Sequence, residues 1–160
     1  MSFPNENYFQ FENLLVKLAS SGVDFAVVGG VAVSLNGFVR ATDDVDILVG
    51  RAADNLGKLL NCLADWGQGF ARELKPEDFA EEPGAIRVRE DFDLDIFTQM
   101  RGKSLDDFRP SFRFLEIGEV RIAYLSPTDL IFLKLGSWRE KDLLDVAAMK
   151  EILAREAKQK

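Results

Sequence analysis

In two short stretches, DVDILV (residues 44–49) and DFDLDIF (residues 91–97), aspartate alternates with apolar residues. An extended chain sorts that pattern, because successive side chains of a strand point to opposite faces. Asp44 and Asp46 then share one face, with Val45 and Ile47 on the other. Asp91, Asp93 and Asp95 likewise share a face, with Phe92, Leu94 and Ile96 behind them. Each stretch predicts a strand with one core face and one acidic face. Aspartate is a poor strand former, and like charges set side by side destabilise a sheet. If the two strands are neighbours, Asp44, Asp46 and one of Asp93 or Asp95 converge. Either water reaches all of these carboxylates or a cation sits among them. On this pattern alone, the plain alternative of two solvated strand faces stays open.

The rest of the chain frames those strands. NENYFQFENLLVKLASSG places Tyr8, Phe11, Leu14, Leu15 and Leu18 at helical spacing, and Gly22 can end that helix. DFAVVGG reads as a short buried strand, and VAVSLNG as a two-turn helix ending near Gly37. ADNLGKLLNCLADWG is an amphipathic helix with Leu56, Leu59, Leu60 and Leu63 on one face. The stretch from Gly67 to Gly84 offers only a short helix after Pro76. AIRVRE reads as a further strand, SLDDFRPS as a connection, and FRFLEIGEVRIAYLS as a hairpin turning at Gly118. Ser126, Pro127 and Asp129 mark a helix start, and EKDLLDVAAMKEILAREAKQK is a last helix whose charged tail is expected to fray. Strands occur both in succession and separated by helices. This predicts an α+β fold, a mixed sheet with helices packed on it and a C-terminal helical pair. The expected organisation is one domain over 1–160, with a core at about 23–125 and the helical pair at about 126–156.

Composition narrows the chemistry. The 160 residues contain no histidine, which excludes Ser-His-Asp or Cys-His nucleophile systems and His-ligated zinc. The single cysteine, Cys62, cannot form an internal disulfide and reads as a small buried thiol. What remains are carboxylates, hydroxyls, lysines and arginines. Carboxylates are hard oxygen ligands suited to Mg²⁺ or Mn²⁺. A net charge of −7 gives no general attraction to nucleic acid or to anionic lipid. The first residues, MSFPNENYFQ, lack a basic stretch followed by an apolar run, and no apolar run nears the ~20 residues a membrane helix needs. A cytoplasmic protein is the expectation.

One more feature meets the acidic strands. VVGGVAVSL ends a buried strand in Gly29-Gly30 and begins a helix at once. Such a turn lets backbone approach a ligand closely, and the free N–H groups of a helix start favour phosphate. By itself it reads equally as a tight strand–helix turn that binds nothing. Combined with a carboxylate cation site, it gives the parts that metal-assisted phosphoryl or nucleotidyl transfer needs.

These residues resemble a known pattern. Gly29-Gly30, a spacer of 13 residues, Asp44-Val45-Asp46-Ile47 and a later apolar-Asp-apolar strand are similar to the nucleotidyltransferase superfamily of the DNA polymerase β type. GGVAVSLNGFVRATDDVDILV resembles in particular the small bacterial nucleotidyltransferases, including the AbiEii/AbiGii-type toxin group, through Arg40, Thr42, Asp44 and Asp46. DLIFLKLGSWREKDLLDVAAM resembles the ending of that group, so the likeness spans roughly residues 25–153. The resemblance implies that Gly29 and Gly30 hold nucleotide phosphates. It implies that Asp44, Asp46 and Asp95 bind divalent ions, with Asp93 as the alternative third carboxylate. It implies that Lys134 reaches the triphosphate, while Arg40 and Thr42 shape the entrance. Against these stand a surface lysine for Lys134 and a salt bridge from Arg40 to the loop residue Asp43. Asp142 and Asp145 could orient Lys134 or Arg139, or form a plain surface ion pair. The chain departs from part of the family in having Gly30 where a serine hydroxyl would otherwise contact phosphate.

The implied function is metal-dependent transfer of a nucleoside monophosphate from an NTP to a hydroxyl acceptor, releasing pyrophosphate. The acceptor would be a small molecule, a protein or RNA. A toxin role implies a cognate antitoxin, and the small size of the chain leaves room for a second subunit to complete the site. The competing readings are a non-catalytic nucleotide-binding or protein-interaction module of the same fold, and a structural cation site.

Overall fold

Phe25–Val28 is only four residues long, yet every one of them is buried, and it stands near the middle of the sheet as strand β1. The computed structural model describes residues 9–79 and 84–159. Helix α1 (Phe9–Ser20) precedes β1 and buries Phe11, Leu14, Leu15 and Leu18, as the spacing predicts. Tyr8, expected on the same face, lies outside the described residues. Helix α2 (Gly29–Leu35) follows β1 directly, then β2 (Asp44–Val49), then α3 (Ala53–Leu63), which buries Leu56, Leu59, Cys62 and Leu63. Two single 3₁₀ turns, at Phe70–Glu73 and Pro76–Asp78, occupy the stretch with the weakest pattern. Strands β3 (Ile86–Arg89) and β4 (Asp93–Phe97), the hairpin β5 (Arg113–Ile117) and β6 (Val120–Tyr124), and helices α5 (Pro127–Leu133) and α6 (Glu140–Lys158) complete the order, with one short helix between β4 and β5.

That short helix, α4 (Leu105–Phe108), replaces the expected irregular connection. Its start is a capping box: the Asp107 carboxylate accepts from Ser104 N at 2.9 Å. Leu105 and Phe108 are buried and anchor it to the core. The tail of α6 also departs from expectation, running helical to Lys158. Glu156 on its last turns accepts from Arg113 Nη1 and Nη2 at 2.8 and 2.6 Å, which ties that end to β5.

The six strands form one mixed sheet in the order β3-β4-β2-β1-β6-β5. β1 pairs antiparallel with β2 and parallel with β6, while β2 pairs parallel with β4. β3 and β5 lie antiparallel to β4 and β6 at the two edges. The parallel β2–β4 pair sets Asp44 level with Asp93 and Asp46 level with Asp95. Val45, Ile47, Leu94 and Ile96 fill the core on the opposite face. Leu48, on the side of the aspartates, is buried too, so the acidic character is confined to one end of β2. α2 packs on β1 and β2 and touches α5, and α5 packs on α6, so the C-terminal pair sits beside the β1–α2 turn. No helix among the described residues is long and apolar enough to cross a membrane.

The turn from β2 into α3 is fixed by Asn55, a buried polar side chain. Its Oδ1 accepts from Asp24 N at 2.7 Å, and its Nδ2 donates to Asp24 O and Gly50 O at 3.0 and 2.9 Å. Asp24 O keeps a second donor, Gly50 N, at 3.1 Å, but Asp24 N and Gly50 O depend on the side chain. Asn55→Ala is therefore expected to destabilise the protein by about 1 kcal/mol, the cost of leaving partly buried backbone groups without their side-chain partner. Urea unfolding read by far-UV circular dichroism measures this as a lower midpoint at unchanged slope.

Candidate active site

β1 ends at Val28 and α2 begins at Gly29 with no loop between them. Val28 lies level with Asp46 on β2, so the turn presses on that carboxylate. Gly29 takes φ +65°, a conformation L side chains rarely adopt, and a Cβ there would collide with the Asp46 carboxylate. At Gly30 a Cβ would sit 2.9 Å from Thr42 Oγ1 and 3.0 Å from Arg40 Nη2. The glycine pair thus makes room for the three side chains that crowd the strand end.

Asp44, Asp46 and Asp95 meet here. Each offers a carboxylate oxygen, and these oxygens all lie within 4.8 Å of one another. Thr42 Oγ1 donates toward Asp44 Oδ1 at 3.3 Å. Asp93 does not join them. It sits two residues earlier on β4, and its carboxylate is drawn to Arg87 at 3.3 Å and Arg89 at 3.7 Å. Burial pushes the Asp46 carboxyl up to about 7, and the charges of Asp44 and Asp95 push the same way, with Lys134 opposing. When protonated, Asp46 shares a hydrogen bond with Asp95. Asp95 goes the other way: hydrogen bonds from Arg87 hold it below the usual carboxylate range, despite burial.

The cations come from three places. Arg40, in the loop before β2, reaches α6 rather than its neighbour Asp43. Its Nε and Nη2 each donate to Asp145 at 2.7 Å. Asp145 is fully buried, so it is no surface ion pair, and it also meets Lys134 Nζ at 3.2 Å. Lys134 closes the end of α5 and donates to Asp142 Oδ1 at 2.7 Å. Its side chain is 15 % exposed, which removes the reading of a surface lysine. Burial pushes Asp142 up, but the hydrogen bonds from Lys134 and Ser137 outweigh this and its pKa is lowered. Arg139 lies 3.7 Å from Asp142.

The third place is β3, and sequence reasoning passed over it. Arg87 stands directly opposite Asp95 across the β3–β4 pair. Its Nε donates to Asp95 Oδ1 at 2.7 Å and its Nη2 to Asp95 Oδ2 at 2.8 Å, with Asp44 Oδ2 at 3.6 Å. A signal was present: in AIRVRE, Arg87 and Arg89 alternate with apolar residues in the same period as the acidic strand, and opposite charges favour cross-strand pairing.

One open cleft of about 330 Å³ is walled by Gly29, Gly30, Arg40, Thr42, Asp44, Asp46, Arg87, Asp95, Lys134, Arg139, Lys141 and Asp142. Over residues 8–155 the sequence matches the family described as nucleotidyltransferase of unknown function (DUF6036). The chain belongs to this nucleotidyltransferase family. It is a transferase, and the superfamily likeness carried by its motifs holds, although the matching model is not that of the AbiEii/AbiGii-type toxins. No curated protein matches in sequence. The fold is similar to that of the lincosamide antibiotic adenylyltransferase LnuA in its lincomycin-bound crystal structure, with TM-score 0.63 and 18 % identity over 94 % of this chain and 99 % of that one. It is also similar to the antibiotic-resistance factor ANT(2'')-Ia, with TM-score 0.55 and 14 % identity over 94 % of this chain and 85 % of that one. A protein of Thermotoga maritima described as a nucleotidyltransferase gives TM-score 0.54 and 14 % identity over 99 % of this chain and 97 % of that one. At these identities the likeness establishes the α+β nucleotidyltransferase-like fold.

The donor set of the enzyme suits a hard divalent cation. Three carboxylates face each other with no amide or thiol among them, and their mutual repulsion is what an ion such as Mg²⁺ or Mn²⁺ relieves. The metal-free protein makes the combined cost of burying Asp46 and setting it beside Asp44 and Asp95 measurable. A carboxyl whose pKa is about 7 when folded and near 3.8 when unfolded favours folding least above pH 7. Stability from this group is full below pH 3.8 and is lost as the pH rises through about 7. Asp46→Asn is therefore expected to raise the melting temperature at pH 8 in the presence of a chelator, with the gain shrinking toward pH 4. Thermal melts of both proteins across that range check the sign.

Proposed function

We propose that this enzyme moves a nucleoside monophosphate from an NTP to a hydroxyl acceptor and releases pyrophosphate, using Mg²⁺ or Mn²⁺ held by Asp44, Asp46 and Asp95. The observation that carries the reading is the gathering of those carboxylates within 4.8 Å beside the Gly29–Gly30 turn. Gly29 and Gly30 take the phosphates on backbone N–H groups, with no side chain to keep them at a distance. Lys134 supplies positive charge to the triphosphate, while Asp142 and Asp145 hold its ammonium in place. Arg40, held by Asp145, and Thr42, beside Asp44, form the cleft wall over Gly30. A divalent cation held by Asp44, Asp46 and Asp95 would neutralise the triphosphate and polarise the phosphorus under attack. The acceptor oxygen bonds to the α-phosphorus, and the bond from that phosphorus to the β-bridging oxygen breaks. The electron pair leaves with pyrophosphate, and the acceptor proton passes through the carboxylate face to water. The residues from 1 to 160 act as one nucleotidyltransferase-like domain in this reading.

The acceptor this reading favours is a small hydroxylated molecule. LnuA, which is matched over 99 % of its length, is a lincosamide adenylyltransferase with lincomycin bound. That likeness supports a small acceptor bound beside the donor. A toxin with a macromolecular acceptor and a cognate antitoxin would use the same donor chemistry.

A thermal-shift panel tests the donor half. Each of the four NTPs, with and without Mg²⁺ or Mn²⁺, is added to the wild type and to an Asp44→Asn, Asp46→Asn double variant. Saturation at ~100 times Kd stabilises by about 2.7 kcal/mol, which for a chain of this size raises the melting temperature by roughly 5–10 °C. The shift is expected with metal in the wild type and is expected to vanish in the double variant. No shift with any NTP would instead favour the non-catalytic interaction module.

A further inference from the structure

Arg87 is the one strong cation in direct bidentate contact with the described carboxylate group, and it does more than balance charge. Both oxygens of Asp95 are occupied by its guanidinium, through Nε at 2.7 Å and Nη2 at 2.8 Å. The same Nη2 comes within 3.6 Å of Asp44 Oδ2, and Nη1 within 3.3 Å of Asp93 Oδ2. The guanidinium thus lies over the Asp95 side of the group, among three carboxylates. A divalent ion bound to Asp95 on that side would sit within a few ångströms of a fixed positive charge and would lose the oxygens the fork already uses.

The anchoring of Arg87 allows it to leave. β3 is an edge strand of four residues, and the Arg87 side chain is 43 % exposed, so a rotamer change moves it into solvent without opening the core. Asp95 has no such freedom: it is 6 % exposed and its flanking residues Leu94 and Ile96 are buried. On the Asp46 side no described residue makes a fork of this kind. Lys134, the cation acting there, is already engaged by Asp142 and Asp145.

We propose that Arg87 is an exchangeable cation for Asp95. In the metal-free enzyme its guanidinium holds this carboxylate. A divalent ion that takes Asp95 together with Asp44 and Asp46 would displace the guanidinium into solvent. Arg87 therefore sets how tightly the ion is held. This rests on the metal-site reading given above and adds the device that loads the site.

The test is a Mn²⁺ titration of the nucleotide-free protein, with free Mn²⁺ read by electron paramagnetic resonance. The proteins are the wild type, Arg87→Met and Arg87→Lys, each checked for native circular dichroism. Removing a fixed unit charge in contact with the ligand oxygens is expected to tighten Mn²⁺ binding by roughly tenfold in Arg87→Met. Arg87→Lys, which keeps the charge but not the fork, is expected to fall between the two. Equal affinity in wild type and Arg87→Met overturns the exchange. So does weaker binding in Arg87→Met, which would make Arg87 a fixed positioning residue for Asp95. Failure of both proteins to bind any Mn²⁺ is a different result, because it removes the carboxylate metal site itself and the exchange with it. A second readout does not depend on a variant. On addition of Mg²⁺ to the wild type, the Arg87 Nε–H resonance is expected to move to the position of exposed arginines, and a resonance that stays put while the ion binds overturns the proposal.

Discussion

The parallel pairing of β2 with β4 is what the rest of the site depends on. With Asp46 level with Asp95, the apolar halves of both strands face the core and the acidic halves face the cleft. A slip of one residue would exchange the two faces and bury the carboxylates. Burial of Val45, Ile47, Leu94 and Ile96 is worth about 1.5–3 kcal/mol per side chain. Two like charges near 5 Å cost about 3 kcal/mol at an effective dielectric of ~20. Apolar packing therefore holds the carboxylates together against their repulsion. Burial first, and then the charges of Asp44 and Asp95, raise the pKa of Asp46, while an arginine fork meets the charge of Asp95.

Around that group the charges form a chain of contacts that links distant parts of the sequence. Arg40, before β2, and Asp145, on α6, are separated by 105 positions and joined by two hydrogen bonds. Asp145 is fully buried, and such a carboxylate is tolerated because both Arg40 and Lys134 meet it. The C-terminal helices are thus part of the cleft wall. They bring Lys134, Arg139, Lys141 and Asp142 to the same opening that Gly29 and Gly30 form from the other side.

Much of this was readable in the sequence. The alternation in DVDILV and DLDIF carries both the strands and their acidic face, because period two is imposed by the backbone. The Gly29–Gly30 turn was readable because few residues other than glycine tolerate φ +65° against a neighbouring carboxylate. Asp93 and Asp95 were indistinguishable in sequence, since both obey the same alternation. Strand register separates them, by setting Asp95 beside Asp46 and Asp93 nearer Arg89. The ion-pair partner of Arg40 was not readable. Arg40 has Asp43 close by in sequence, yet pairs with Asp145, and spacing on α6 gave no sign that Asp145 is buried. Arg87 left a signal in the alternation of AIRVRE, but which residue it faces is set by the pairing of β3 with β4.

The most direct measurement is a crystal structure with Mn²⁺ and a non-hydrolysable NTP, using the anomalous signal of the metal. The account predicts anomalous density in contact with Asp44 and Asp46, and phosphates against the Gly29–Gly30 backbone. Manganese elsewhere, or a nucleotide bound away from the glycine turn, would contradict it.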